Sequence, residues 1–203
     1  LDIHNVMALR GDAAKGQSRY LPEVDGYLHT DALVRQISNL NQGRYLDETL
    51  TNTVPTDFCV GVAGYPEKHY ECDTLDNDIL NLKNKVDAGA DYIITQMFFD
   101  NSKFFEFVKR CREAGINIPI IPGLKPISLL SHIEKLPKTF AISLPEDLSK
   151  ELSKCKSNDE VYHVGIEWST AQSRELIKFG VPAIHFYTMG KAENVIFVLK
   201  NIF

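Results

Sequence analysis

None of the four cysteines (Cys59, Cys72, Cys111 and Cys155) stands in a CxxC pair. That removes the thiolate spacing of a structural zinc site and the disulfide framework of a small secreted domain, and it suits a reducing cytoplasm. There is no long basic run, and the net charge is -5, so a phosphate-neutralising nucleic-acid surface is not expected. The apolar runs are strand-sized, far below the roughly 20 residues that cross a bilayer, so no membrane span is expected either. Nothing at the N-terminus reads as a signal peptide. Leu1 replaces an initiator Met and strand-like sequence begins within a few residues, so the start reads as truncated or processed.

What is present is an ordinary globular composition, 44% hydrophobic and 24% charged over 203 residues, which is enough for one domain spanning residues 1–203. Five short apolar runs, at residues 5–10, 58–65, 92–99, 119–123 and 183–188, are each followed by a polar segment and a helical pattern. This is the signature of βα units around a parallel sheet covered on both faces. Helices are expected at 31–40, 74–88, 102–114, 128–136, 159–179 and 192–201. Ile79, Leu82 and Val86 form one core-facing stripe, and residues 41–56 read as a polar surface excursion. Five units do not close an eight-stranded barrel, and an open five-stranded sheet shares the pattern. The polar residues favour a barrel: Arg10-Gly11-Asp12, Tyr65, Gln96 and Tyr187 fall at or just beyond the C-terminal ends of runs, which is the active-site face of a (β/α)8 enzyme.

Several of these residues invite chemistry, and each has a plain structural alternative. Arg10-Gly11-Asp12 suits a phosphate or a cofactor ring, or is a turn with a surface ion pair. Tyr65-Pro66-Glu67-x-His69 clusters a ring, a carboxylate and an imidazole, but no second His stands at metal spacing and no metal site is expected. Asp78, Asn81 and Lys85 share one helix face, either solvated or a ledge for a ribose and a pyrophosphate. Gln96 interrupts an apolar strand, and burying an unpartnered amide costs a few kcal/mol. Its partner is therefore a ligand with paired donors and acceptors, such as a pterin, or the neighbouring backbone.

Five motifs, namely ALRGD (8–12), AGYPEKH (63–69), DILNLKNKVDAGADYIITQMFFD (78–100), IPIIPGLKPI (118–127) and HFYTMGKAE (185–193), together resemble in order and spacing the landmarks of methylenetetrahydrofolate reductase. The resemblance implies a (β/α)8 TIM barrel, of which this chain supplies about the last five βα units. It implies noncovalent FAD, reduced by NADH or NADPH in a ping-pong sequence. The reduced flavin then passes hydride to 5,10-methylenetetrahydrofolate, giving 5-methyltetrahydrofolate for one-carbon metabolism and methionine biosynthesis. It further implies a cytoplasmic protein that self-associates as a homo-oligomer.

By the same resemblance, Arg10, Gly11, Asp12, His29, Thr30, Tyr65, His69, Cys72, Asp78, Asn81, Asn84 and Lys85 are the FAD-contacting positions. Asp12 and Gln96 are the catalytic pair, and both meet the folate together with His132 and Lys191. A carboxylate at Asp12 disfavours anionic reduced flavin and makes it a better hydride donor. Some positions depart from the family. His29-Thr30 stand where it has Tyr-Ala, Asn84 where some members carry Arg, and Lys191 where it has an Arg with a planar, two-pronged donor. No residue matches the family's glutamate general acid, which lies in earlier βα units and whose proton transfer is worth about 10² to 10⁴-fold. The alternatives are a catalytically inactive fragment of such a reductase, or another flavin barrel of the proline dehydrogenase type.

Overall fold

The computed structural model describes residues 2–13, 16–17 and 20–203; Leu1, on which the reading of a processed start rests, lies outside them. Strands and helices alternate as β1 (Asn5–Ala8), α1 (Thr30–Asn41), β2 (Cys59–Gly64), α2 (Leu75–Asp87), β3 (Tyr92–Met97), α3 (Asn101–Glu113) and β4 (Ile120–Leu124). Then come α4 (Leu130–Phe140), α5 (Glu146–Lys154), α6 (Asn158–Phe179), β5 (His185–Phe186) and α7 (Glu193–Ile202). The strands lie side by side in chain order, β1-β2-β3-β4-β5, every neighbouring pair parallel. An open doubly wound sheet reverses its strand order at a switch point. This sheet never does, so it is a half-barrel, with helices on its outer face.

The outer face carries the core. Val60 and Val62 of β2, Ile93 of β3 and Ile120 and Leu124 of β4 pack with Ile79 and Leu82 of α2 and Phe104, Phe107 and Cys111 of α3. Phe98 lies nearly parallel to Phe104, ring centroids 5.3 Å apart. Each such buried ring contributes about 2–3 kcal/mol. A second cluster (Met97, Phe99, Ile127, Leu136, Leu148, Leu152 and Val161) joins α4, α5 and α6 to the strand ends.

Helix starts follow side-chain capping where it is available. Thr74 accepts from Asn77 N–H (3.2 Å), Asp100 from Ser102 N–H (2.9 Å) and Ser157 from Glu160 N–H (3.3 Å), satisfying donors that the first turn leaves free. Several expected elements differ from those observed. The fourth helix, expected at 128–136, starts later and runs through Pro137 to Phe140. Helix α5 was not expected at all; it buries only Leu148 and Leu152 from an otherwise charged face. The last strand is two residues long rather than six, because it pairs only at Gly123↔His185 and Leu124↔Phe186. Residues 41–56 hold no helix or strand beyond the end of α1.

Helix α6 approaches the loop after β4 so closely that a Cβ on Gly165 would lie 1.8 Å from the Ile127 carbonyl oxygen, whereas one on Gly180 (φ +91) meets nothing within 4 Å. Gly165→Ala is expected to cost about 3 kcal/mol or more, as overpacking against fixed backbone. Gly180→Ala should cost about 1 kcal/mol, from its left-handed backbone alone. Urea unfolding of the two variants checks the ordering, and equal costs would refute the close packing of α6 on the strand-end loop.

Candidate active site at the strand ends

A cavity of about 490 Å³ opens at the C-terminal ends of β1 and β2, between the start of α1 and the exposed edge of α2. Its lining includes Arg10, Gly11 and Asp12 beyond β1, His29 and Thr30 at the start of α1, Tyr65, His69 and Cys72 beyond β2, and Asp78, Asn81, Asn84 and Lys85 on α2. All twelve positions that the resemblance assigns to a cofactor are thus brought to one cavity. Gln96, His132 and Lys191 do not line it. They lie further round the same rim, after or within β3, β4 and β5.

Asp78 organises the β2–α2 loop. It is buried, and its carboxylate accepts from His69 N–H (2.9 Å) and from the Cys72 thiol (3.5 Å). It therefore pins the loop from inside while also lining the cavity. Asn81 Nδ2 donates to Cys72 Sγ (3.4 Å). Burial and then the Asp78 charge push the Cys72 thiol pKa up, so it stays protonated. The His69 Nδ1 accepts from Glu71 N–H (3.2 Å), which places the proton of the neutral ring on Nε2. Burial holds that imidazole below its ordinary pKa. The Tyr65 ring meets His69 edge to face at 4.8 Å, and burial next to Asp78 raises its phenol to about 12. Glu67 turns away from the cavity and accepts from the Ser143 N–H at 3.1 and 3.2 Å.

Among the described residues, Arg10 and Lys85 are the cations that face the cavity. Arg10 is ion-paired with Glu71 and lies 5.2 Å from the centre of the Tyr20 ring. Burial alone would raise the Glu71 pKa, but hydrogen bonds from Arg10 and Tyr70 hold it below its ordinary value. Lys85 donates to the Ala63 carbonyl (2.6 Å). Helix α1 starts beside them with no side-chain cap from His29, leaving first-turn N–H groups for an anion. Glu71, Tyr20 and Asp31 were not singled out from the sequence. Glu71 is 61 residues from Arg10, and no local spacing signals such a pair.

Gln96 sits where the β3–β4 register slips between Ile94 and Met97. A bulge re-aims side chains. Here the Thr95 hydroxyl accepts from Gly123 N–H (2.9 Å), Tyr187 donates to the Thr95 carbonyl (2.8 Å), and Gln96 Oε1 accepts from Met97 N–H (3.0 Å). The amide oxygen is thus satisfied by backbone, and among the described residues its NH2 donates to none. His132 is half-buried and accepts from Ser128 N–H (3.3 Å), while Lys191 is exposed. Among the described residues no three His, Cys, Asp or Glu side chains are grouped to hold a metal ion, and no helix is long and apolar enough to cross a membrane.

Burial pulls Lys85 from 10.5 down to about 8, against the upward pull of Asp78. Between those values the unfolded chain binds the proton more tightly than the folded one. The cost of burying the ammonium is therefore full below about pH 8 and fades as pH rises towards 10.5. Lys85→Met should stabilise the ligand-free protein by about 1 kcal/mol at neutral pH, after the lost bond to Ala63 is deducted. That gain should shrink at alkaline pH. Denaturant unfolding at neutral and alkaline pH checks it; a gain independent of pH would show that the ammonium is not the destabilising group.

A family model described as methylenetetrahydrofolate reductase matches residues 1–203. The chain is 37% identical over 199 residues to methylenetetrahydrofolate reductase 1 of Schizosaccharomyces pombe, covering 98% of this chain and 31% of that protein. It is 36% identical over 210 residues to methylenetetrahydrofolate reductase (NADH) 1 of Arabidopsis thaliana, covering 98% and 33%. The 5,10-methylenetetrahydrofolate reductase of Escherichia coli is 34% identical over 192 residues, covering 94% and 58%. The chain therefore spans only 31% to 58% of these relatives' lengths. A solved Clostridium thermocellum protein, described as binding two copies of 5-methyl-5,6,7,8-tetrahydrofolic acid, shares the fold with a TM-score of 0.51 and 22% identity over 71% of this chain and 52% of its own. Matched by the family model along its whole length, the chain belongs to the methylenetetrahydrofolate reductase family.

Proposed function

We propose that the chain forms the flavin- and folate-binding part of a (β/α)8 barrel that reduces 5,10-methylenetetrahydrofolate to 5-methyltetrahydrofolate with NADH or NADPH. The observation that carries this reading is the convergence of twelve residues from the segment after β1, the start of α1, the β2–α2 loop and α2 on one strand-end cavity. Their chemistry fits FAD. Arg10, Lys85 and the uncapped start of α1 suit a pyrophosphate, Thr30, Asn81 and Asn84 suit sugar hydroxyls, and Asp12 and Tyr65 stand at the mouth for the ring system. When bound, the flavin supplies hydride transfer between the nicotinamide and the folate.

The residues of this chain position and tune. Asp12 sets a negative charge at the cavity mouth, Asp78 holds the loop that carries His69 and Cys72, and Gln96 presents its NH2 to the folate, beside His132 and Lys191. The activity belongs to the whole protein, in which further residues supply the general acid. A cytoplasmic location, a role in methionine supply and self-association as a homo-oligomer complete the proposal.

Anaerobic half-reactions of the full-length protein test it. NADH or NADPH should bleach a visible flavin absorption, and methylenetetrahydrofolate should restore it. Asp12→Asn should slow the restoring step about tenfold or more, the effect of about 1.4 kcal/mol of charge interaction, and change the bleaching less. Protein that takes up no flavin would overturn the reading. Flavin that is bleached and not restored would identify an inactive relative.

A further inference from the structure

Lys125 directly follows β4, and Pro126 after it favours an extended backbone there. Leu124 is fully buried in the outer core, so the pleat turns Lys125 to the inner face of the half-barrel, on the rim that carries Gln96 and Tyr187. It is only 6% exposed, yet its ammonium donates to a single acceptor, the Tyr187 carbonyl at 3.3 Å. Among the described residues no carboxylate lies within 4.0 Å of it, whereas Arg10 has Glu71. Burying an ammonium costs several kcal/mol, and one long bond to a carbonyl does not offset that. His132 lies near enough for its pKa to be lowered by burial and then by the charges of Lys125 and Lys135, so it offers Lys125 no countercharge.

We propose that Lys125 is a specificity-determining cation whose ammonium holds an anionic group of the ligand occupying the β3–β5 half of the rim. This rests on the folate and pyridine-nucleotide reading of that rim. Either ligand carries the required charge, one as carboxylates and the other as phosphates. The competing role is a strut that holds the Tyr187 carbonyl and with it the short strand β5. A strut would affect charged and uncharged ligands alike; an anion site would not.

Equilibrium binding to the full-length protein separates these roles. The first pair of probes is 5-methyltetrahydrofolate and 6-methyltetrahydropterin, which lacks the carboxylates. The second is NADH and reduced nicotinamide riboside, which lacks the phosphates. Lys125→Met should weaken the charged member of one pair or both by about 30-fold or more, the effect of losing a buried charge partner. The uncharged members should change less than about twofold, and Lys125→Arg should recover part of the loss. The pair that responds identifies the anion. Removing an uncompensated buried charge is expected to leave the fold intact, and Lys125→Gln provides a second variant should Met perturb packing. Equal losses within both pairs, or no loss, would overturn the proposal while leaving the functional reading in place. Wild-type protein that binds neither 5-methyltetrahydrofolate nor NADH would overturn both.

Discussion

Burial of the outer face of the parallel sheet fixes where every rim side chain goes. Val60 and Val62 of β2, Leu124 of β4 and Phe186 of β5 pack outward against helices. Because side chains alternate along a strand, their neighbours must face inward. The inward positions are small where the sheet is crowded: a Cβ on Gly61 would meet the Tyr92 ring at 2.4 Å, and one on Gly123 the Thr95 carbonyl oxygen at 2.2 Å. The same alternation delivers Tyr65 and Lys125 to the open rim. Hydrophobic burial on one side of the sheet thus dictates the chemistry available on the other.

The rim then divides by how its charges are satisfied. On the β1–β2 half, three charged groups are held by partners within the chain: Arg10 has Glu71, Lys85 has the Ala63 carbonyl and the field of Asp78, and Asp78 has the loop. On the β3–β5 half, Lys125 has one carbonyl and His132 one backbone N–H. The first half is a preformed polar cradle. The second leaves cationic and amide groups for whatever enters.

The repeated units were legible because parallel strands covered on both faces read as continuous apolar runs, and residues 92–99 and 58–65 could hardly be anything else. Their polar ends pointed to the rim. The βα pattern alone did not separate a half-barrel from an open sheet, since the two differ only in pairing order; the polar strand ends and the five motifs favoured the barrel. Helix α5 escaped because two leucines four apart among seven polar or charged residues make a faint stripe. The fourth helix, expected to end at residue 136, continues through Pro137. The cofactor positions came from motifs spread over the chain and meet in one cavity. What the motifs could not convey was the internal role of Asp78 and the pairing of Arg10 with Glu71, because both depend on contacts made only after the loop folds over α2.

Lys85 and Lys125 share a property that ties stability to ligand. Each is a cation that burial draws below its ordinary pKa, so each makes the folded state less favourable than an apolar residue of similar size would. Such cost persists where a function needs it. An anion bound beside either ammonium supplies the missing countercharge, and any ligand that binds only the folded chain stabilises it in proportion to its occupancy. An anionic ligand would therefore offset a destabilising feature of the rim. A reductase of this design would be at its most robust when cofactor and substrate are both abundant.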